Sequence, residues 1–153
     1  MKPLFVVIHH SKAKDRSTLD WQGIRDWHIG PPNNWTDIGY NFGIEMVKGQ
    51  VEVLIGRMPT ERGAHCKSLN GKSWGICIVG DFDADRPSVA LWDTAVRLVS
   101  SLCDLGDIPT DQVVGHREGD PNTKKSCPGN AFDMNAFRKD VFTYRVKHSG
   151  MKA

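Results

Sequence analysis

Residues 5–9 of the chain read Phe5-Val6-Val7-Ile8-His9, an unbroken apolar run that turns polar at His9, His10 and Ser11. A run this short, without polar alternation, predicts a strand buried in the interior of a sheet. The segment 74–79 (WGICIV) has the same character, and Val113 and Val114 form a last short strand leading to His116. Between these runs the periodicity changes. Ser17-Thr18-Leu19-Asp20 offers a helix start, and Trp21, Ile24, Trp27 and His28 follow at helical spacing until Gly30-Pro31-Pro32-Asn33-Asn34 ends the segment. Residues 40–47 and 51–55 are strand-like and joined by Lys48, Gly49 and Gln50, a hairpin signal. Pro87 and Ser88 open the longest helix, whose stripe of Leu91, Ala95, Leu98, Val99, Leu102 and Leu105 stops at Gly106. A terminal helix is predicted over 133–142, with Met134, Phe137, Val141 and Phe142 as its apolar residues. The resulting order, βαβββαβα, predicts an α/β fold with a mixed central β-sheet flanked by helices.

At 153 residues and 39% hydrophobic content, the chain suits a single domain over 1–153, with a core at about 4–142 and a basic tail at 143–153. A formal charge of +2 is too small to predict a nucleic-acid partner. The basic excess sits late, at Arg138, Lys139, Arg145, Lys147 and Lys152, and reads as a solvated C-terminus. No apolar run approaches the roughly 20 residues that span a bilayer, so membrane insertion is not expected. The opening residues lack the length and small-residue cleavage site of a secretory signal, which predicts synthesis in the cytoplasm without export by that route. Nothing requires more than a monomer. Cys66, Cys77, Cys103 and Cys127 read as thiols with separate jobs rather than as staples. Cys77 and Cys103 fall in apolar surroundings, whereas Lys124, Lys125 and Pro128 surround Cys127, where cations favour a thiolate.

The chemistry-bearing residues cluster by type rather than by sequence. His9, His116 and Cys127 each stand where a strand runs out into loop. Two imidazoles and a thiolate, leaving one position open, are the ligand set of a catalytic zinc ion. Strand alternation places Phe5, Val7 and His9 on one face and Val6, Ile8 and His10 on the other, which by itself does not choose between His9 and His10. Trp21, Trp27 and Trp92 fall on predicted helices and read as packing anchors; Trp35 and Trp74 flank loops and are candidates to stack on a ligand. His28 is expected to be packed and hydrogen-bonded, and His148 to be solvated. Glu118 is expected either to steady His116 from behind or to form a surface ion pair. Asp81-Phe82-Asp83-Ala84-Asp85 lacks the glycine and terminal glutamate of a calcium loop and reads as a solvated turn.

Seven stretches together carry a family resemblance: VIHHS (7–11), IRDWH (24–28), WTDIGYNF (35–42), GAHC (63–66), NGKSWGICIVG (70–80), GHRE (115–118) and KSCPG (125–129). In this order the chain resembles the type-2 zinc N-acetylmuramoyl-L-alanine amidases, a family that includes small phage lysozymes of amidase type and is related to the peptidoglycan recognition proteins. The resemblance spans about residues 4–142. It departs from the family pattern at Ser68, where glycine is common.

The resemblance implies one catalytic Zn2+ held by His9, His116 and Cys127, which selects His9 and leaves His10 as a supporting neighbour. It implies catalytic roles for Tyr40 and Lys125, with His65, Trp35 and Trp74 as candidate residues of a substrate groove. Peptidoglycan or its muropeptide fragments would be the partner, and the amide between N-acetylmuramic acid and L-alanine the bond hydrolysed. A domain of this kind resembles a phage or prophage endolysin that reaches the host wall once the inner membrane is breached. A cytoplasmic amidase recycling muropeptides is an alternative within the same chemistry. Two rivals stand outside it: a non-hydrolytic peptidoglycan-binding module, and a cysteine peptidase in which His116 activates Cys127.

Overall fold

The structure, a computed structural model, describes residues 1–12 and 20–148. Ser17, Thr18 and Leu19 of the predicted helix start, and Lys152, lie outside the described residues. Among the described residues, five strands form one mixed sheet: β1 (Phe5–His10), β2 (Phe42–Val47), β3 (Gln50–Ile55), β4 (Ser73–Ile78) and β5 (Val113–Gly115), in the order β3-β2-β4-β1-β5. β1 runs parallel to both β4 and β5, β2 runs parallel to β4, and the β2–β3 hairpin is antiparallel. Among the described residues, four α-helices accompany it: α1 (Trp21–Ile29), α2 (Val89–Gly106), the single turn α3 (His116–Gly119) and α4 (Met134–His148). No described helix is long and apolar enough to cross a membrane.

Alternation along the strands sorts the side chains into two layers. Val6 and Ile8 of β1, Ile44 of β2, and Trp74, Ile76 and Ile78 of β4 share the main core with Leu91, Ala95, Val99 and Leu102 of α2 and Phe137 and Val141 of α4. Val7 faces the other way with Cys66 and Leu69, while Trp21, Ile38 and Cys77 form a third cluster. Cys77 is the register partner of His9, and Trp74 that of Val6. Register therefore overturns Trp74 as a groove residue: it faces α2 with Val6, is buried, and donates its indole N–H to the Pro59 carbonyl.

Local chemistry sets the helix ends. Asp20 caps α1 by accepting from the Gly23 N–H, and Ser88 caps α2 by accepting from the Leu91 N–H. At the other end of α2, Asp107 adopts a left-handed conformation and its N–H reaches the Cys103 carbonyl. The chain then folds back, and Ile108, 1% exposed, fills the space under the last turn; Leu105 at 74% exposure drops out of the predicted stripe. β2 begins at Phe42 rather than Tyr40, because the Asn41 side chain takes the Gly75 N–H where the β2–β4 pairing starts. α4 extends six residues beyond the predicted end at 142, to His148. Arg145 is thereby corrected from a solvated tail residue to a buried one, donating to Asp104 Oδ1, the Ile108 carbonyl and Thr110 Oγ1.

Phe137 joins α4 to α2 through a ring contact with Trp92 at 5.1 Å, meets Phe132 of the segment before α4 at 5.3 Å, and is fully buried. Phe137→Ala is expected to cost about 3–5 kcal/mol, read as a lowered urea midpoint at unchanged slope.

Candidate metal centre

The carboxyl ends of β1 and β5 point into one cleft. His9 is the fifth residue of β1, and His116 opens α3 directly after β5. Cys127 arrives from the loop between α3 and α4. One ligand atom from each of the three lies within 4.8 Å of the others, and all three residues are buried. His9 Nδ1 stands 3.5 Å from Cys127 Sγ, and the His9 and His116 rings are 4.8 Å apart. His10 points to the opposite side, where its Nδ1 accepts from the Phe82 N–H at 3.1 Å.

The cysteine loop is tied down by two charged residues. Arg117, next to His116, donates through Nη1 to the carbonyls of Ser126 and Gly129 at 2.7 Å each and through Nη2 to that of Phe132 at 3.2 Å. Its backbone N–H reaches the Cys127 carbonyl at 2.9 Å. Asp83 accepts from the Ser126 hydroxyl at 2.8 Å and from the Asn130 N–H at 3.0 Å. The 81–85 segment expected to be a solvated turn is thus a clamp on the loop that carries Cys127. Gly129 has φ +117°, and a Cβ there would lie 2.3 Å from the Phe82 carbonyl, so only glycine fits. Glu118 accepts from the Gly115 N–H at 2.7 Å and pairs with Arg138 at 2.9 Å. It fixes the backbone leading into His116.

Around the three residues lies a cavity of about 530 Å³, lined also by Tyr40, Trp27, His28, Asn33, Trp35, His65, Ser11 and Lys125. The Tyr40 ring stands 5.1 Å from His9 and packs against the cluster of Trp21, Ile38 and Cys77. Lys125 is exposed at the rim. Trp35 stacks on His28 at 4.6 Å and 17°, and His28 Nδ1 accepts the Gly39 N–H. Trp27, expected as a packing anchor, is 61% exposed and borders the cleft. His65 lies inside, with Nδ1 3.0 Å from His9 Nε2. Sequence periodicity gave no sign of Trp27 in the cleft or of the clamps at Asp83 and Arg117, although the latter sits inside the GHRE motif.

The electrostatics favour neutral donors. Burial, reinforced by the charges of His65, His116 and Lys125, holds His9 well below the ordinary histidine range. Burial and then Lys125 lower His116, against Asp120. Neutral imidazole is the form that ligates a metal. Burial pushes the Cys127 thiol up to about 12, outweighing the His10 N–H and the charges of Lys125 and Arg117, so the lysine-rich sequence around it does not by itself make a thiolate. A divalent cation beside the sulfur would supply the missing compensation. Two neutral nitrogens and one sulfur converging out of bulk water fit zinc's preference for nitrogen and sulfur donors.

The N-acetylmuramoyl-L-alanine amidase family model matches residues 1–130, and the chain belongs to that family. It is 37% identical over 132 residues to an endolysin of Klebsiella phage KP32, covering 84% of this chain and 81% of the endolysin. It is 34% identical over 132 residues to peptidoglycan-recognition protein LB of Drosophila melanogaster, covering 82% of this chain but 54% of that relative, so the chain spans about half of its length. The fold is similar to that of the N-acetylmuramoyl-L-alanine amidase LysC from Clostridium intestinale, with a TM-score of 0.77 and 21% identity over 92% of this chain and 86% of that one.

His28 generates a pH prediction. Burial, then the charges of Arg57 and Lys125, lower it to about 4, so the folded protein refuses a proton that the unfolded chain accepts near 6.5. Its contribution to stability is therefore complete above about pH 6.5 and is lost as pH falls towards 4. His28→Asn keeps an acceptor for the Gly39 N–H and removes the titration. Urea midpoints measured from pH 7 to 4.5 should fall less steeply in the variant than in the parent; parallel curves would contradict the assignment.

Proposed function

We propose that the protein is a zinc-dependent peptidoglycan amidase that hydrolyses the bond between N-acetylmuramic acid and the L-alanine of the stem peptide, and that it serves as a phage or prophage endolysin. The observation that carries this reading is the convergence of His9, His116 and Cys127 at the floor of a cleft that also holds Tyr40 and Lys125. Zinc held by those three residues supplies a nucleophile at neutral pH and polarises an amide carbonyl.

The remaining chemistry belongs to side chains. Burial, followed by the neighbouring Cys77 and Cys127 thiols, keeps the Tyr40 phenol well above its ordinary pKa, so it remains a protonated hydroxyl able to orient a water or donate to the departing amide nitrogen. The Lys125 ammonium at the rim places positive charge where the carbonyl oxygen gains negative charge. Trp35 and Trp27 give the cleft aromatic faces suited to a sugar ring or stem peptide. A buried thiol pushed to about 12 is the opposite of what a nucleophilic cysteine needs, which disfavours the peptidase alternative. Similarity to the Klebsiella phage endolysin over most of its length supports the lytic role, with the cell wall as the place of action and peptidoglycan as the partner.

Tyr40→Phe and Lys125→Ala, each loaded with one zinc per chain, are expected to lower amidase turnover by roughly 10²–10³-fold or more. Undiminished turnover by a zinc-replete variant would remove that side chain from the mechanism.

A further inference from the structure

One contact in the cleft is not explained by ligation, by proton transfer or by packing alone. His9 uses both of its ring nitrogens within the protein: Nδ1 faces the Cys127 sulfur at 3.5 Å, and Nε2 meets His65 Nδ1 at 3.0 Å. The two imidazoles stand edge to face, with ring centroids 5.0 Å apart and planes at 85°. If Nδ1 is the metal-facing atom, Nε2 must carry the proton of the neutral ring, and His65 Nδ1 must be the bare acceptor.

The surroundings of His65 hold it in that position. Asn70 Oδ1 accepts the backbone N–H groups of both His65 and Cys66 at 2.8 Å, fixing the loop. The imidazole fills a space left by two glycines: a Cβ on Gly75 would lie 2.4 Å from the ring, and one on Gly63 also 2.4 Å. A side chain at either position would push the ring off His9. The cradle thus serves to seat an imidazole against the back of His9 rather than to close a turn.

We propose that His65 is a positioning residue for the metal centre: it accepts the Nε2 proton of His9, locks that ring in the tautomer that presents Nδ1, and so sets the affinity of the site for zinc. The inference rests on the metal-centre reading of His9, His116 and Cys127 and extends it to the residue behind the first ligand. It gives the Gly63-Ala64-His65-Cys66 segment a role distinct from contact with substrate. Loss of the partner of a ligating histidine typically weakens metal binding by about 10–100-fold.

The test compares His65→Phe, which keeps an aromatic ring in the glycine cradle but has no acceptor, with His65→Asn, whose side-chain oxygen can stand where Nδ1 stood. Zinc affinity is measured by competition with a chromophoric chelator. The expected result is a loss of roughly 10–100-fold for His65→Phe and recovery to within about 3-fold of the parent for His65→Asn. Equal affinity in the parent and His65→Phe would overturn the proposal while leaving the zinc site standing, whereas a parent that binds no zinc would overturn both. Should His65→Phe fail to fold, long-range ¹H–¹⁵N spectra of the zinc-loaded parent decide. A His9 proton on Nε2 supports the proposal, and a proton on Nδ1 overturns it.

Discussion

The parallel placement of β1 between β4 and β5 is the constraint on which the rest depends. It buries a strand with no polar residue before its end, so the first polar positions, His9 and His10, emerge together at the carboxyl edge of the sheet. It delivers His116 to the same edge from the neighbouring strand, because parallel strands end on one side. Ligand sites in open α/β sheets gather at such edges for that reason. The third donor cannot come from a strand, and Arg117 and Asp83 meet that need by holding the loop around Cys127. Arg117 follows His116 directly, so one short segment both presents a donor and fastens the loop that presents another.

The cleft combines charge poverty at its floor with charge at its rim. The floor holds imidazoles that burial keeps free of protons near neutral pH and a thiol that burial keeps protonated, so a divalent cation there would meet two ready nitrogen donors and would displace one proton from sulfur. Lys125 stands at the edge, where a cation remains solvated until a ligand covers it. Tyr40 lies between these zones, its ring beside His9 and packed on the cluster that holds Cys77, the register partner of His9. The sheet register that aligns His9 with Cys77 therefore also sets where the tyrosine ring sits.

Much of the framework was legible because it is local. Apolar runs without alternation marked β1 and β4, Ser88 marked the start of α2, and Lys48 and Gly49 marked the β2–β3 hairpin. Strand parity could state that His9 and His10 face opposite sides but not which side bears the cleft, since that depends on where Cys127 is brought 118 residues later. The same limit explains Trp74, whose face follows from pairing with Val6, and Trp27, which borders the cleft while Trp21 of the same helix is buried in a core cluster. Asp83, Arg145 and His65 share a feature that no local pattern reveals: each takes its meaning from a partner roughly 40 to 60 residues away. Leu105 failed for a different reason, because helical spacing does not foresee a chain that turns back at Asp107 and fills the space with Ile108.

In the function proposed above, three side chains from two strand ends and one clamped loop form a zinc centre that cuts the amide joining glycan to stem peptide. Its most direct test is mass-resolved digestion of purified peptidoglycan by the protein as isolated, after chelation, and after chelation followed by added zinc. Stem peptides with a free N-terminal alanine should be released, their release abolished by the chelator and restored by zinc. Zinc-loaded protein that binds peptidoglycan yet releases no such peptides would contradict it and make the cleft a recognition site.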